Sequence, residues 1–352
     1  MTVKITKPKI NVREELNDLK KPTGIAGEAM LRAETPQEQQ ALIGVGRRNL
    51  IINGGFDVSQ RGTYTSTTSL PINTATYYLD RWKVYAFTGD TGTFQHKLDQ
   101  QLPDGSYANS FLLTSTSSNL SAPLVQLVEN HKVIWGKTFT LSFWYKSVGD
   151  TMYNIWNGTS QLHYLLLNTG GEWKKHENTI TLKENGTYLR VEYYHNTTTF
   201  ASGNYLELAQ VQLELGSVAT PFEHRSYGEE LALCQRYFWS QVPLGSATNT
   251  GSGQHAIATG IMLSTNQVEA VVTFPVTMRA SPTLIVANGT NYFAAESAGN
   301  SLDQFNTFYS FAKTPQSALL YKNGSEITGT AGQGVRITAT TSNSYVYWSA
   351  EL

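Results

Sequence analysis

Residues 211–239, VQLELGSVATPFEHRSYGEELALCQRYFW, join a strand to a helix across a turn that holds Gly216 and Pro221. Val211, Leu213 and Leu215 alternate with Gln212 and Glu214, the period-two pattern of a half-buried strand. Tyr227, Leu231, Cys234 and Phe238 then return at helical spacing. Ser226 and Glu229 have the spacing of a capping box, in which side chain and backbone satisfy each other's unpaired groups at a helix start. A loose tether would be rich in Gly, Ser or Pro. The stretch therefore predicts a rigid coupling between two bodies, and its neighbours predict that both are β-rich.

Upstream, from Arg48 to about His224, strand-like runs recur with turn signals every ten or so residues: NLIINGGF, DRWKVYAF, NSFLLTST, LVQLVENH, KTFTLSFWYKS, HYLLLN, WKKHENTITL, YLRVEYYH and YLELAQVQLEL. Many short strands at regular spacing predict an antiparallel sandwich of jelly-roll type. In KTFTLSFWYK, Phe139, Leu141, Phe143 and Tyr145 share one face and Thr138, Thr140, Ser142 and Trp144 the other. In YLELAQVQLEL, Leu206 and Leu208 fall out of phase with Val211 and Leu213, which predicts a bulge near Ala209. Downstream, HAIATGIML, QVEAVVTF, TLIVAN, FNTFYSFAK, SALLYK, VRITAT and YVYWSAEL predict a second sandwich. Residues 1–46 differ: Asn11–Glu14 and Thr35–Glu38 fit capping boxes, with Pro36 at the favoured first helical position. They predict short helices over about 11–20 and 35–43, too short to be stable unless they lie against something.

The expected class is mainly β: an N-terminal short helical arm (1–46), an antiparallel jelly-roll sandwich (47–224), a short junction helix (225–239) and a C-terminal β-sandwich (240–352). In 352 residues, 40% are apolar, 11% are aromatic and the net charge is −1. Such a chain can fill two cores, and its near balance of charge argues against partners bound through clustered Lys and Arg, nucleic acid and anionic membrane among them. Cys234 is the single cysteine, so no disulfide forms within the chain, and its place among apolar residues predicts a buried small hydrophobe. MTVKITKPKINVREEL carries charge where a secretory signal needs an apolar core, and no run is long and apolar enough to span a bilayer. The expectation is synthesis in a cytoplasm without export or membrane insertion. The Asn-x-Ser/Thr triplets at Asn157, Asn185, Asn196, Asn288 and Asn323 read as turn chemistry, four of them continuing with Gly.

NLIINGGFDVSQRG, YYLDRWKV, GKTFTLSFWYK and AQVQLELGSVATPFEHRSYGEELALCQRYF together resemble the carbohydrate-binding-module-like jelly roll of tail fibres and other virion structural proteins of tailed bacteriophages. FPVTMRASPTL and YVYWSAEL are similar to the distal β domain that often follows it. The resemblance covers roughly residues 48–352. It implies a virion component without enzymatic activity or cofactor: a homotrimeric fibre attached to other phage proteins by its N-terminal arm, adhering to host surface polysaccharide. In that setting Tyr227, Leu231, Cys234 and Phe238 would pack around the threefold axis. Carbohydrate-binding modules of this type often hold a structural calcium through an acid after the first strand and an Asp pair in the last. Here Asp57 follows NGGF but the last strand reads Ala209-Gln210-Val211, so no metal is expected.

Catalytic constellations are thin. Gly136-Lys137-Thr138 resembles the end of a phosphate loop, yet position 131 is His where Gly is needed and the segment opens a strand. The seven histidines include no pair at helical metal-ligand spacing, and no nucleophile elbow occurs. Opposed carboxylates across strands leave a glycan hydrolase open, and a purely architectural virion protein is the other alternative. Asp80-Arg81-Trp82 reads as an ion pair and stack closing one end of the sandwich. Trp82 and Trp144 are also candidate sugar platforms. Trp144 points away from the core-facing set, so it either packs on a neighbouring chain or lies open. In ANGTNYFAAESAGNSLDQFNTFYSF, Tyr292, Phe293, Phe305, Phe308 and Tyr309 stand among Asn, Ser and Gln in apparent long loops, and are the expected receptor contacts.

Overall fold

The computed structural model describes residues 48–352 apart from 71–73, 88–90, 117–121, 130–134, 159–160, 167, 182–185, 196–200, 248–254 and 298–301. The expected helical arm over residues 1–46 lies outside the described residues. The first body contains β1 (Thr68–Ser69), β2 (Thr74–Tyr77), β3 (Lys83–Ala86), β4 (Gly92–Gln101), β5 (Tyr107–Ser115) and β6 (Leu124–Val128). It continues with β7 (Thr138–Val148), β8 (Thr151–Trp156), β9 (Gln161–Leu166), β10 (Lys174–Thr181), β11 (Leu189–His195) and β12 (Tyr205–Leu215). They form two antiparallel six-stranded sheets, ordered β1-β4-β5-β12-β7-β10 and β2-β3-β6-β11-β8-β9. The jelly-roll sandwich is therefore as its alternation predicts. Phe139, Leu141 and Phe143 of β7 face Tyr153, Ile155, Val191 and Tyr193 of the opposite sheet in one core. The register between β12 and β7 shifts between Ala209 and Gln212, with Gln210 at φ 50°, which is the bulge the phase slip calls for.

NLIINGGF is not a strand. Residues 51–55 make turns, because Asn53 (φ 57°) bends the chain back and bonds it in place. Its Nδ2 donates to Val58 O (2.8 Å) and Asp80 O (2.9 Å), its Oδ1 accepts from Val58 N (2.9 Å), and its own carbonyl accepts from Trp82 Nε1 (2.8 Å). Asn tolerates this left-handed conformation where most side chains do not. Asn53→Ala leaves buried groups unpaired and keeps the strained φ, so chemical denaturation should show a loss of about 3 kcal/mol. A change below about 1 kcal/mol would mean the turn is held by other contacts.

After β12 comes α1 (Tyr227–Gln235), with both hydrogen bonds of the Ser226/Glu229 capping box present. The helix is short, and its stripe differs from the expected one. The buried residues are Glu230, Leu233 and Cys234. Leu231 is half-buried and Tyr227 exposed, while Phe238 is not helical at all but opens the next strand, where it is buried. The stripe faces this chain's own jelly roll: Glu230 accepts from Asn53 N (2.5 Å) and pairs with Arg225 (3.2 Å), which also bonds Glu223 (2.9 Å) and Asn49 O (2.5 Å). A period count of apolar residues overlooks a buried Glu, and Glu230 sets the phase of the stripe. Cys234 is buried as expected, and burial pushes its thiol well above the ordinary range.

The second body contains β13 (Phe238–Val242), β14 (His255–Ser264), β15 (Gln267–Thr273), β16 (Thr283–Val286) and β17 (Phe293–Ser297). It ends with β18 (Asp303–Phe305), β19 (Tyr309–Phe311), β20 (Ser317–Asn323), β21 (Gly334–Ala339) and β22 (Val346–Ser349). A three-stranded sheet β13-β22-β16 and a seven-stranded sheet β18-β17-β21-β14-β15-β20-β19 enclose a second core around Trp348, Phe293 and Leu320.

Candidate functional site

The two bodies meet through side chains rather than along the helix alone. Glu351, just past β22, accepts from Arg61 Nη2 (2.6 Å) and Arg81 Nη1 (2.5 Å) of the jelly roll. The Arg81 guanidinium also donates to Leu127 O (2.7 Å) and lies 3.6 Å from the centre of the Tyr237 ring, while Arg61 lies 3.4 Å over Phe238. This corrects the reading of Asp80-Arg81-Trp82. The described ion-pair partner of Arg81 is Glu351, and Asp80 accepts from Gln60 N (2.6 Å) and Gln60 Nε2 (2.8 Å). Burial pushes the Asp80 carboxyl up to about 6, against the pull of Arg61 and the Gln60 bonds.

Beside this seam lies the outer face of the second jelly-roll sheet. Strand register aligns Tyr77, Lys83, Val125, Glu192 and Asn154 in one row across β2, β3, β6, β11 and β8. At ~4.8 Å between strands the row is about 19 Å long. The adjacent row carries Leu127, Arg190 and Trp156. Val84, Leu124 and Val191 fill the core, so alternation turns their neighbours outward. The polar groups are fixed by one another: Tyr194 Oη donates to Asn154 Oδ1 (2.9 Å), Asn154 Nδ2 to Glu192 Oε2 (3.2 Å), and Arg190 Nε pairs with Glu192 Oε1 (2.5 Å). Burial raises the Tyr194 phenol pKa, with the Asn154 bond pulling back and Glu192 adding to the rise, so it stays a neutral donor at ordinary pH. Trp156 bonds the Tyr188 hydroxyl through its indole nitrogen, and Arg190 lies 5.8 Å from the Tyr188 ring centre. At the other end Lys83 lies 4.7 Å from the Tyr85 ring and 5.2 Å from the Tyr77 ring, and both Tyr77 and Lys83 donate to Leu352 O (3.1 and 3.4 Å). The result is a polar chain in which Lys83, Asn154 and Glu192 are buried and Arg190, Tyr194, Trp156, Tyr77 and Tyr85 are partly exposed, with the second body as a wall at one end.

Periodicity along single strands does not bring this strip together, because its residues come from five strands. The signal was the outward set Arg190, Glu192 and Tyr194 in YLRVEYYH, opposite Asn154 and Trp156 in TMYNIW, a run not recognised as a strand.

The expected platforms lie elsewhere. Trp82 has no exposed surface and packs 5.1 Å from Phe56, so it is core. Trp144 neither lies open nor waits for another chain: Leu102, Ala209 and Trp173 of this chain cover it. Near it, Glu207 is saturated by Lys146 (3.0 Å), Lys97 (3.5 Å) and Ser110 (2.6 Å), which leaves that face little hydrogen-bonding capacity. Phe293, Phe305 and Phe308 are also core. The supposed loop contains β17 and β18, whose pairing sets Phe293 against Phe305, with Phe308 4.9 Å away. These three cannot contact a receptor, whereas Tyr292 is half-buried and Tyr309 exposed. The structure thus brings Phe293, Phe305 and Phe308 together as packing and leaves Tyr309 on a separate outer face. Asp57 accepts from Asn109 Nδ2 (2.9 Å), and burial raises its carboxyl pKa. No group of three or more His, Cys, Asp or Glu gathers among the described residues.

No protein-family model matches the chain, and no curated protein matches it. Solved structures that align include the enzymatically active domain of tailspike protein 4 of bacteriophage CBA120, at 16% identity over 48% of this chain and 21% of that one, with a TM-score of 0.33. The chain thus spans about a fifth of the tailspike's length. TmCBM61 in complex with beta-1,4-galactotriose aligns at 17% identity over 48% of this chain and 100% of that one, TM-score 0.27. The CBM22-1 xylan-binding domain of Paenibacillus barcinonensis Xyn10C aligns at 13% identity over 45% and 98%, TM-score 0.30.

Proposed function

We propose that the chain is a non-enzymatic virion protein, a trimeric phage tail fibre. It joins the particle through residues 1–46 and adheres to a host-surface glycan through the outer face of the β2-β3-β6-β11-β8-β9 sheet. The observation that carries the adhesion is the Arg190–Glu192–Asn154–Tyr194 chain between Trp156 and Tyr85. Sugars present flat C–H faces to aromatic rings and paired hydroxyls to planar polar groups; the partly exposed Trp156, Tyr194 and Tyr85 offer the first and Arg190, held by buried Glu192, the second, on strands rather than loops. Its charges are few, with Arg190 and Glu192 paired, which suits a neutral ligand read by shape. The virion assignment is supported by the sequence resemblance over residues 48–352. Three weak strips on one axis would gain affinity through effective concentration.

The test is binding of purified full-length protein to host-surface polysaccharide. Trp156→Ala removes a ring and Glu192→Gln the charge that holds Arg190 in place, and each should weaken binding by roughly 10–100-fold while the fold is retained. Polysaccharide binding that neither change alters would remove the strip from this role, and release of reducing ends from the envelope would replace adhesion with hydrolysis.

A further inference from the structure

The outer face of the seven-stranded sheet in the second body is apolar where a solvated sheet alternates to polar. Register aligns Ile261, Glu269, Tyr321 and Tyr309 in one row across β14, β15, β20 and β19, and Thr259, Val271, Leu319 and Phe311 in the next. Tyr309 is 63% exposed, Val271 57%, Ile261 48%, Phe311 41% and Leu263 40%, while their strand neighbours Val268, Ala270, Val272 and Leu320 are buried beneath. The patch is continuous, with Phe311 5.9 Å from Tyr321 edge to face.

We propose that this face is where one copy of the chain packs on another. The proposal deepens the self-association in the reading above, and moves it from the junction helix, whose buried stripe is occupied by its own jelly roll, to this sheet. Area supports it. The five most exposed side chains present on the order of 450 Å² of apolar surface, at the upper end for a monomer. A stable interface needs about 800 Å² per partner, roughly 60% of it apolar, or about 480 Å². The chemistry favours a protein face over a sugar: Ile261, Leu263, Val271 and Leu319 are aliphatic, and the amide residues Gln267 and Asn323 stand together at one end of the face. Charge on this face is sparse: Glu269 stands between Ile261 and Tyr321, and Arg336 on β21, beyond β14, is paired with Glu296. Both edge strands, β18 and β19, are three residues long, which leaves face-to-face packing as the way this sheet extends.

Sedimentation of the full chain tests this. Wild type should run as an oligomer, and Val271→Glu should weaken association at least tenfold with an unchanged circular dichroism spectrum. The pair Tyr309→Ser and Phe311→Ser, at the sheet edge, should do the same and serves if Val271→Glu fails to fold. Wild-type oligomers that keep their size in both variants would place the contact elsewhere and leave self-association standing. A wild type that is monomeric at micromolar concentration would overturn both, and loss of polysaccharide binding in the edge pair alone would make the face a ligand surface instead.

Discussion

Glu351→Ala should lower the unfolding midpoint and split one cooperative transition into two, one for each β body. The carboxylate stands between two guanidinium groups whose side chains are 12% and 1% exposed, and it is itself 7% exposed. Removing the acid leaves Arg61 and Arg81 buried together, pressed by Phe238 and Tyr237, with only Asp80, near Arg61, as counter-charge. Breaking a buried pair from one side costs about 3–5 kcal/mol, more than the net worth of the pair, because the charge left behind stays desolvated. Calorimetry reads both the shift and the splitting. Glu351→Gln keeps the volume and one acceptor and should do less harm, and pairing Glu351→Leu with Arg81→Met should recover much of the loss. A single transition with the wild-type midpoint in Glu351→Ala would show that α1 and the β13–β22 sheet couple the bodies without this contact.

The second large effect is acid sensitivity of the jelly roll. His195 ends β11 on its inward side, with no exposed surface, and burial lowers its imidazole from the ordinary 6.5 to about 3. The folded protein therefore holds this ring neutral while the unfolded chain protonates it below pH 6.5. Stability from that difference is complete above about pH 6.5 and drains as pH falls toward 3. At about 1.4 kcal/mol per pH unit, the loss by pH 4 is roughly 3 kcal/mol. Asp80 runs the other way, since its raised value makes the folded state the better proton binder between about 4 and 6. Asp80 returns about 2 kcal/mol of the His195 loss by pH 4; His96 and His176, also lowered by burial, add to the loss, and Asp57, raised by burial, offsets it, so the net fall is the sum of these groups. Urea midpoints measured from pH 7 to pH 4 should fall, and His195→Gln should flatten that dependence whatever its stability at neutral pH. An equal slope in the variant would assign the acid loss to other groups.

The parts of the molecule readable from the chain are those written in local signals. Alternation in KTFTLSFWYK, the phase slip at Ala209 and the Ser226–Glu229 box each arise within a few residues, and each appears where it was expected. What failed depended on partners distant in sequence. Glu230 looks like a solvent residue until Arg225 and Asn53 are beside it. β17, FAAES, is five residues long and begins just past a turn, so its aromatic residue read as a loop side chain. The polar strip is assembled from β11 and β8, some 35 residues apart, and its outward residues look like an ordinary polar face until the register sets Glu192 against Asn154.

Arg61 and Arg81 grip Glu351, and Tyr77 and Lys83 hold Leu352, while α1 carries the chain across from β12, so the second body is mounted on the first at more than one point. A body hung from a single peptide swivels about it; a second anchorage removes that swivel and passes torque from one sheet assembly to the other. Side load on the outer sheet then reaches the jelly roll as bending of a stiff arm, and the angle between the polar strip and the apolar face is set by the protein itself.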